Sequence, residues 1–239
     1  MIQTLITAGG KGTRLANISQ NMPKPMVDIC GKPALWYQLM NLKKSGITKV
    51  LIIVGFLGDK VKEYFGNGSK FGLNIDYYTE LTPLGTAGAL YKLANNLDDK
   101  FLYLNADIIY NFDFKKFVDF HNSKNALITL AVQKTTHPAD STLISFDADN
   151  CVTGWYAKEA ARPKDLAYSN AAIHLLGKKS LSYCEPKEKV DLDRDLLANI
   201  VSTKGIFAYP TAEYIEDFGT PERYFNVCEF VKNKAGDII

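Results

Sequence analysis

The first 125 residues alternate short, β-rich apolar runs with segments of helical periodicity, and this alternation constrains the fold more than any other feature of the chain. Strands separated by helices of this length are typical of βαβ units, which build a parallel sheet covered by helices. We therefore predict an α/β fold, Rossmann-like and three-layered, with a mixed, mostly parallel sheet and helices on both faces. The predicted strands are residues 2–7, 49–54, 74–79 and 101–106, and the predicted helices are residues 34–45, 58–65 and 86–97.

After residue 125 the pattern changes to short strands separated by turn residues, which indicates a more antiparallel second half. The strands predicted there are residues 126–132, 142–146, 151–156 and 170–176. A last helix is predicted to begin at Pro221 with Thr220 as its N-cap. Neither a repeat nor a low-complexity linker interrupts the chain, so we predict a single domain over residues 1–239, with a first half (1–125) and a second half (126–239).

The composition excludes several functional classes. A formal net charge of +2 is too small to attract nucleic acid or a membrane surface by bulk charge. The apolar runs are far shorter than the ~20 residues that span a bilayer, and no basic segment precedes the first apolar run as in a signal peptide. The four cysteines and three histidines lack zinc-site spacing. We expect a cytoplasmic protein with reduced thiols that binds neither nucleic acid nor membrane.

The first predicted strand runs into a glycine cluster that ends in Arg14. The exposed N–H groups of Gly9, Gly10 and Gly12 are suited to cradling an anion, and the planar fork of Arg14 suits phosphate oxygens. A tight turn with a solvated arginine is the alternative. Two familiar phosphate-binding motifs do not fit, because Leu15 replaces the third glycine of the dinucleotide fingerprint and no Ser or Thr follows the Gly-Lys pair as in a P-loop.

Lys24 stands between Pro23 and Pro25, ten residues after Arg14. Each proline fixes its own φ and biases the residue before it toward extended geometry, so the ammonium group is held on a stiff segment. Rigid presentation of a cation near an anion-binding loop is what charge stabilisation of a phosphate requires.

Taken together, Gly-x-Gly-Thr-Arg followed by Pro-Lys resembles the signature of the nucleotidyltransferases that make NDP-sugars. The resemblance extends along nearly the whole chain and is nearest to the heptose 1-phosphate and glycerol phosphate nucleotidyltransferases. It implies the nucleotide-diphospho-sugar transferase fold, with nucleotide bound by the first half and acceptor by the second. The segments that match further family motifs, in order, are residues 80–90, 104–107, 155–159, 170–173 and 217–224.

The resemblance implies a role for individual residues. It assigns catalysis and phosphate contacts to three cations, Arg14, Lys24 and Lys158. It assigns nucleotide binding to Ala8, Gly9, Gly10, Gly12, Thr13, Gly85 and Thr86. It assigns Mg²⁺, the expected cofactor, to Asp107 and Asp217. The candidates for acceptor binding are Glu80, Asn170, His137 and Asp140.

Several of these residues have a structural alternative. Glu80 can merely flank a loop, Asp107 can cap a turn, and Lys158 can form a surface ion pair with Glu159. His137 and Asp140 can simply belong to a loop. A further acidic cluster, Asp191, Asp193 and Asp195, is similar to a metal-binding group, but acidic residues that open a helix also suit its dipole, and we favour that interpretation.

The implied reaction joins an acceptor phosphate to the α-phosphorus of a nucleoside triphosphate and expels pyrophosphate. Both reactants are anions, so a protein with little net charge must place its cations locally. Residues 32–37 resemble a segment of cytidylyltransferases, whereas residues 189–196 and the His-Pro-x-Asp-Ser loop resemble heptose 1-phosphate enzymes. We favour CTP and a small sugar or polyol phosphate, with glycerol phosphate as the first choice, for surface (capsule) polysaccharide synthesis, over GTP and D-glycero-D-manno-heptose 1-phosphate. A monomer or homodimer is expected.

Two other classes remain as alternatives. A catalytically silent, nucleotide-binding regulator is disfavoured because Arg14, Lys24, Asp107 and Asp217 are all present. A nicotinamide-dependent oxidoreductase is disfavoured by the missing third glycine and by the lack of an acidic residue at the end of the second strand.

Overall fold

The computed structural model describes residues 2–10, 15, 22–135, 137–157, 161–163 and 165–238. Gly12, Thr13, Arg14 and Lys158 lie outside the described residues. The chain divides into two compact units, each assembled from separate stretches of sequence. The first unit comprises Met1–Pro83, Tyr103–Phe114 and Glu213–Ile239, and the second comprises Leu84–Leu102 and Lys115–Ala212. The division into halves at residue 125 stays a prediction.

Strands and helices alternate along the first part of the chain as predicted. The strands are β1 (Gln3–Ala8), β2 (Asp28–Ile29), β3 (Lys32–Pro33), β4 (Lys49–Val54), β5 (Asn74–Thr79), β6 (Lys100–Asn105), β7 (Ile108–Asn111), β8 (Ile128–Lys134), β9 (Leu143–Phe146), β10 (Val152–Tyr156), β11 (Tyr168–Gly177), β12 (Ile206–Pro210) and β13 (Tyr214–Asp217). The α-helices are α1 (Ala34–Lys44), α2 (Gly58–Phe65), α3 (Gly88–Lys92), α4 (Phe114–Ser123), α5 (Ala198–Ile200) and α6 (Pro221–Ile238). The 3-10 turns are Lys24–Met26, Ser69–Phe71, Ala94–Asn96, Pro138–Asp140, Lys178–Tyr183 and Val201–Thr203, and Leu192–Leu197 is a π-helical turn.

In the first unit, parallel pairing joins β1 to β4 and β4 to β5, so that Ala8, Val54 and Thr79 lie side by side where the three strands end. In the second unit, β8 pairs antiparallel with β11 and parallel with β12, and β9 lies between β10 and β11 in antiparallel pairing. The predicted α/β class, with a mixed, mostly parallel sheet and helices, is confirmed. Strands β4 and β5 and helix α2 match their predicted bounds to the residue.

The helix predicted over residues 86–97 is shorter than expected. Helix α3 begins only at Gly88, and Ala87 is its N-cap. The N–H of Ala87 is not available to extend the helix, because it donates to the carbonyl of Val190 at 2.8 Å. It ends at Lys92, and a separate 3-10 turn follows over Ala94–Asn96. Asparagine is a weak helix former, which accounts for the early end.

The C-terminal helix begins as predicted. The hydroxyl of Thr220 accepts the N–H of Arg223 at 3.3 Å, and Pro221 occupies the first helical position. The apolar stripe of α6 buries Val227 and Val231 in a cluster with Tyr37 of α1 and Ile109 of β7. Within the described part of the chain, we find no helix whose length and hydropathy suit a membrane span.

His121 of α4 is fully buried, and its Nδ1 lies 2.9 Å from the hydroxyl of Thr129. Burial, followed by the nearby Lys100 charge, lowers the pKa of His121 from 6.5 to about 4. The folded protein therefore binds fewer protons than the unfolded chain between these two values. Stability is fully present above pH 6.5 and is lost as the pH falls towards 4.

We predict that His121→Gln abolishes a pH-dependent loss of stability that reaches about 3 kcal/mol near pH 4. Urea unfolding of both proteins between pH 7 and pH 4.5 measures this difference, because every other titrating group is shared. Parallel stability curves for the two proteins would show that His121 titrates normally in the folded state.

Candidate functional site

In the first unit, the parallel strands β1, β4 and β5 end side by side, and glycines follow two of them. Gly9 follows β1 and Gly55 follows β4, and a Cβ atom on Gly55 would lie 3.2 Å from the Cα of Gly9. A Cβ on Gly9 would lie 2.8 Å from Oε2 of Glu80, which follows β5. A Cβ on Gly10 meets nothing within 4 Å. Ligands of open α/β sheets bind at these strand ends, so the structure brings the predicted Gly9, Gly10 and Glu80 together there.

Lys24 places a cation beside the carboxylate of Asp107 in the first unit. Its Nζ donates to Oδ2 of Asp107 at 2.6 Å, and the two side chains are 17% and 31% exposed. The extended backbone predicted for Lys24 is wrong, because a 3-10 turn begins at this residue. The turn forms because the N–H of Met26 donates to the carbonyl of Pro23 at 2.8 Å. Lys24 is nevertheless held on a rigid segment, because the hydrogen bond from Met26 and the prolines on either side restrict the backbone of the turn.

The loop that carries Asp107 is braced from two elements. The N–H of Ala106 donates to the carbonyl of Thr7 in β1 at 3.0 Å. Gln38 of α1 is fully buried, and its Nε2 donates to the carbonyls of Asn105 at 3.1 Å and Ile108 at 2.6 Å. Gln38 was not predicted as a site residue. The sequence feature that could have revealed Gln38 is its amide side chain on the apolar face of a predicted helix, where a polar group needs a buried hydrogen-bond partner.

Asp217 reaches the same place from the far end of the chain. It ends β13, which pairs antiparallel with β7 so that Asp217 faces Ile108, and the N–H of Phe218 donates to the carbonyl of Asp107 at 3.1 Å. Oδ1 of Asp217 accepts the N–H of Gly219 at 2.8 Å. Oδ2 forms an ion pair with Arg223, a residue that sequence analysis missed.

The cluster therefore alternates charge, with two carboxylates, Asp107 and Asp217, and a cation bonded to each, Lys24 and Arg223. A Cβ on Gly219 would lie 2.7 Å from Oδ1 of Asp217 and 3.6 Å from Nζ of Lys24, so this glycine lets the two side chains approach each other. The arrangement suits a ligand that carries both phosphate and a divalent cation, because each has a group of opposite charge to meet.

The donor set fits Mg²⁺. The described ranges contain no group of three or more His, Cys, Asp or Glu side chains able to hold a metal. Mg²⁺ is commonly held by one or two carboxylates that act together with substrate phosphates and water. Asp107 and Asp217 are the matching pair, and their side chains remain 31% and 38% exposed.

In the second unit, the loop that contains Gly85 and Thr86 is bound tightly to residues 190–192. Gly85 has φ +83°, and a Cβ there would lie 2.5 Å from the carbonyl oxygen of Val190. The hydroxyl of Thr86 donates to Oδ2 of Asp191 at 3.1 Å and accepts the N–H of Leu192 at 2.7 Å. Nucleotide binding by this loop stays a prediction.

The predicted acceptor residues occupy two places in the second unit. Asn170 opens an irregular stretch of β11, where pairing with β8 is interrupted up to His174. Asp140 ends the 3-10 turn Pro138–Asp140 and His137 is its N-cap; the N–H of His137 donates to the hydroxyl of Thr135 at 3.0 Å. Acceptor contact by these residues stays a prediction.

Comparison with known proteins places this geometry in a family. The sequence model of the nucleotidyl transferase family matches residues 3–234. The chain belongs to that family. Mannose-1-phosphate guanylyltransferase of Mycobacterium tuberculosis is 29% identical over 98% of this chain, and the match covers 64% of that relative. The chain thus spans slightly less than two thirds of the length of this curated relative.

Solved structures agree with the family. HddC from Yersinia pseudotuberculosis is 28% identical, with a TM-score of 0.79 over 96% of this chain and 99% of that protein, and it has also been solved with GMP-PN. A Bacillus anthracis protein solved with sucrose has a TM-score of 0.85 over 98% of this chain and 96% of its own. At 20% identity it supports the fold alone.

We predict that Gln38→Met destabilises the protein by about 2–4 kcal/mol, because two buried carbonyls beside Asp107 lose their donor. Leu39→Met in the same helix is the matched control, since a buried swap of similar volume costs less than about 1.5 kcal/mol. Urea unfolding measures both variants. Equal small losses would mean that Gln38 does not hold the Asp107 loop.

Proposed function

We propose that this protein is a nucleotidyltransferase that transfers the nucleoside monophosphate of GTP to a sugar 1-phosphate and releases pyrophosphate. The observation that carries the proposal is the cluster in which Lys24 lies 2.6 Å from Asp107, on a loop bonded to that of Asp217. Transfer of a phosphoryl-type group requires a cation that stabilises phosphate charge and carboxylates that can bind a metal ion, and this cluster contains both.

The relatives favour GTP and a sugar phosphate over our first expectation of CTP and glycerol phosphate. The curated relative from Mycobacterium tuberculosis is a mannose-1-phosphate guanylyltransferase. HddC, which is matched over 99% of its length, binds GMP-PN, a guanine nucleotide. Neither the cytidylyltransferase expectation nor the capsule pathway gains support from these relatives.

The chemistry requires one bond to form and one to break. An oxygen of the acceptor phosphate attacks the α-phosphorus of GTP, and the bond from that phosphorus to its bridging oxygen breaks. Pyrophosphate leaves with the bonding electron pair. Because the acceptor phosphate is largely ionised at neutral pH (second pKa about 6), no general base is needed, and catalysis rests on orientation and charge.

In the proposed mechanism, Lys24 binds phosphate oxygens at the reacting phosphorus and stabilises the charge that develops there. Its bond to Asp107 aims the ammonium group before substrate arrives, and its low exposure strengthens the interaction. Asp107 and Asp217 would hold Mg²⁺, which when bound neutralises charge on the phosphates. By family resemblance we assign Arg14 to the leaving pyrophosphate and Lys158 to the acceptor phosphate.

Pyrophosphate release tests the proposal. GTP, CTP, UTP and dTTP are each combined with mannose 1-phosphate, heptose 1-phosphate, glucose 1-phosphate and glycerol phosphate in the presence of Mg²⁺. We expect release with GTP and a sugar 1-phosphate. Release with CTP and glycerol phosphate would restore that substrate pair, whereas triphosphate binding without release from any pair favours a silent nucleotide-binding regulator.

We predict that Lys24→Ala lowers kcat by about 10²-fold or more, on the scale of a lost transition-state donor. Lys115→Ala is the control, because this lysine is 85% exposed and forms only a surface ion pair with Asp119 at 3.1 Å. Steady-state kinetics with the active pair measure both variants. A Lys24→Ala enzyme with normal kcat would remove the central cation from the mechanism.

A further inference from the structure

Three closely spaced aspartates, Asp191, Asp193 and Asp195, lie at the start of the π-helical turn Leu192–Leu197. They do not converge on one point, since the described residues hold no metal-competent group of three such side chains. Asp195 accepts the N–H of Asp191 at 2.7 Å and an ammonium hydrogen bond from Lys187 at 2.8 Å. The hydrogen bond from the Asp191 backbone has the largest effect on the pKa of Asp195 and the bond from Lys187 the next largest, and together they hold that pKa below its usual range. Asp195 therefore closes the turn itself.

Asp191 faces the predicted nucleotide loop. Its Oδ1 accepts the N–H of Arg194 at 2.9 Å as the cap of the turn, while Oδ2 accepts the hydroxyl of Thr86. Main-chain bonds reinforce this contact, because the N–H of Val190 donates to the carbonyl of Leu84 at 2.9 Å. The loop around Gly85 is thus held by both the backbone and a carboxylate.

Asp193 points to a different partner, the predicted acceptor residue Asn170. Oδ1 of Asp193 accepts from Nδ2 of Asn170 at 3.4 Å, and Oδ2 accepts from the hydroxyl of Thr142 at 3.5 Å. The N–H of Asn170 also donates to the carbonyl of Thr142 at 3.3 Å. These contacts are long, and catalytic-site hydrogen bonds commonly tighten when substrate binds.

The amide of Asn170 is oriented by its neighbours. Its Oδ1 accepts the N–H of Ala172 at 3.0 Å, and its Nδ2 faces the carboxylate of Asp193, which only accepts. Nε2 of buried His174 lies 3.0 Å from the same Oδ1 and must therefore be the donor. Ala172 has φ +60°, a left-handed conformation that costs a residue with a Cβ about 1–2 kcal/mol. The Asn170 side chain thus holds a strained irregularity in β11.

We propose that Asp193 is a positioning residue for the acceptor: it orients Asn170, which in turn holds the strained segment 170–174 in the shape that receives the sugar phosphate. Asp191, two residues earlier on the same turn, performs the equivalent task for the loop at Gly85 and Thr86. One short turn thereby sets the geometry of two of the predicted substrate-binding segments of the second unit, the Gly85 loop and segment 170–174. The inference rests on the proposed function for its substrate, but its structural part can be measured without activity.

Kinetics with GTP and the sugar 1-phosphate that supports pyrophosphate release separate the two aspartates. We expect D193A to raise KM for the sugar phosphate about tenfold, on the scale of lost hydrogen bonds to a charged group, while KM for GTP and kcat change less than about twofold. D191A should raise KM for GTP instead. D193N keeps the shape without the charge: its Oδ1 accepts from Nδ2 of Asn170, and its Nδ2 donates to the hydroxyl of Thr142, so it should rescue most of the D193A defect. D149A, an exposed aspartate of the same unit, is the matched control.

Amide hydrogen exchange supplies the readout that needs no turnover. We expect D193A to speed exchange of the Ala172 amide severalfold and D191A to speed exchange of the Ala87 amide, whereas strand β4 of the first unit stays protected in both. If D193A fails to fold, Thr142→Val removes one anchor of the carboxylate and is expected to show a smaller change in the same direction.

The possible results are distinct. A D193N enzyme as impaired as D193A, with an altered Mg²⁺ dependence, would make Asp193 a ligand and overturn the positioning role. Unchanged Ala172 exchange in D193A would also overturn it. If the wild-type protein released no pyrophosphate from any pair, the proposed function would fail, and the exchange experiment would still decide whether Asp193 shapes segment 170–174.

Discussion

The antiparallel pairing of β7 with β13 joins two parts of the chain that are far apart in sequence, and the candidate site depends on it. It brings Asp217 beside the loop of Asp107, and the N–H of Phe218 bonds the carbonyl of Asp107. Two neighbouring carboxylates repel each other in a partly buried place unless cations accompany them. Lys24 and Arg223 meet that requirement, one for each carboxylate. The same pairing thus assembles the metal-competent oxygens and orients the cation proposed to act on phosphate.

Opposite charges are placed individually at the candidate site, as a protein of net charge +2 requires if it is to bind the two anionic substrates that we propose. In the first unit Asp107 is paired with Lys24, and Asp217 is paired with Arg223. In the second unit the aspartates of the π-helical turn are likewise divided, since Asp191 bonds Thr86 and Asp193 bonds Asn170. Short π-helical turns occur often at functional sites. Here the turn points neighbouring carboxylates at different loops, which separates their tasks.

Much of the fold was predictable because its signals are local. The β-branched run of β4 and the polar cap at Thr220 each specify an element without knowledge of distant residues. β7 and β13 were not predicted, because short strands carry little periodicity. Gly55, Gln38 and Arg223 were also missed as site residues. Their importance comes from what they touch, namely Gly9, the carbonyls beside Asp107, and Asp217.

By itself, the sequence determined the α/β class, the glycine loop after β1 and the ordered motifs that indicate a nucleotidyltransferase. Those features depend on residue spacing and on the conformational freedom of glycine, both of which are local properties. The tertiary structure decided that Lys24 bonds Asp107, that the backbone beside Asp217 bonds the loop of Asp107, and that Asp193 faces Asn170. Ion pairs and hydrogen bonds between distant residues form only once the strands and helices have packed, so no local pattern specifies them.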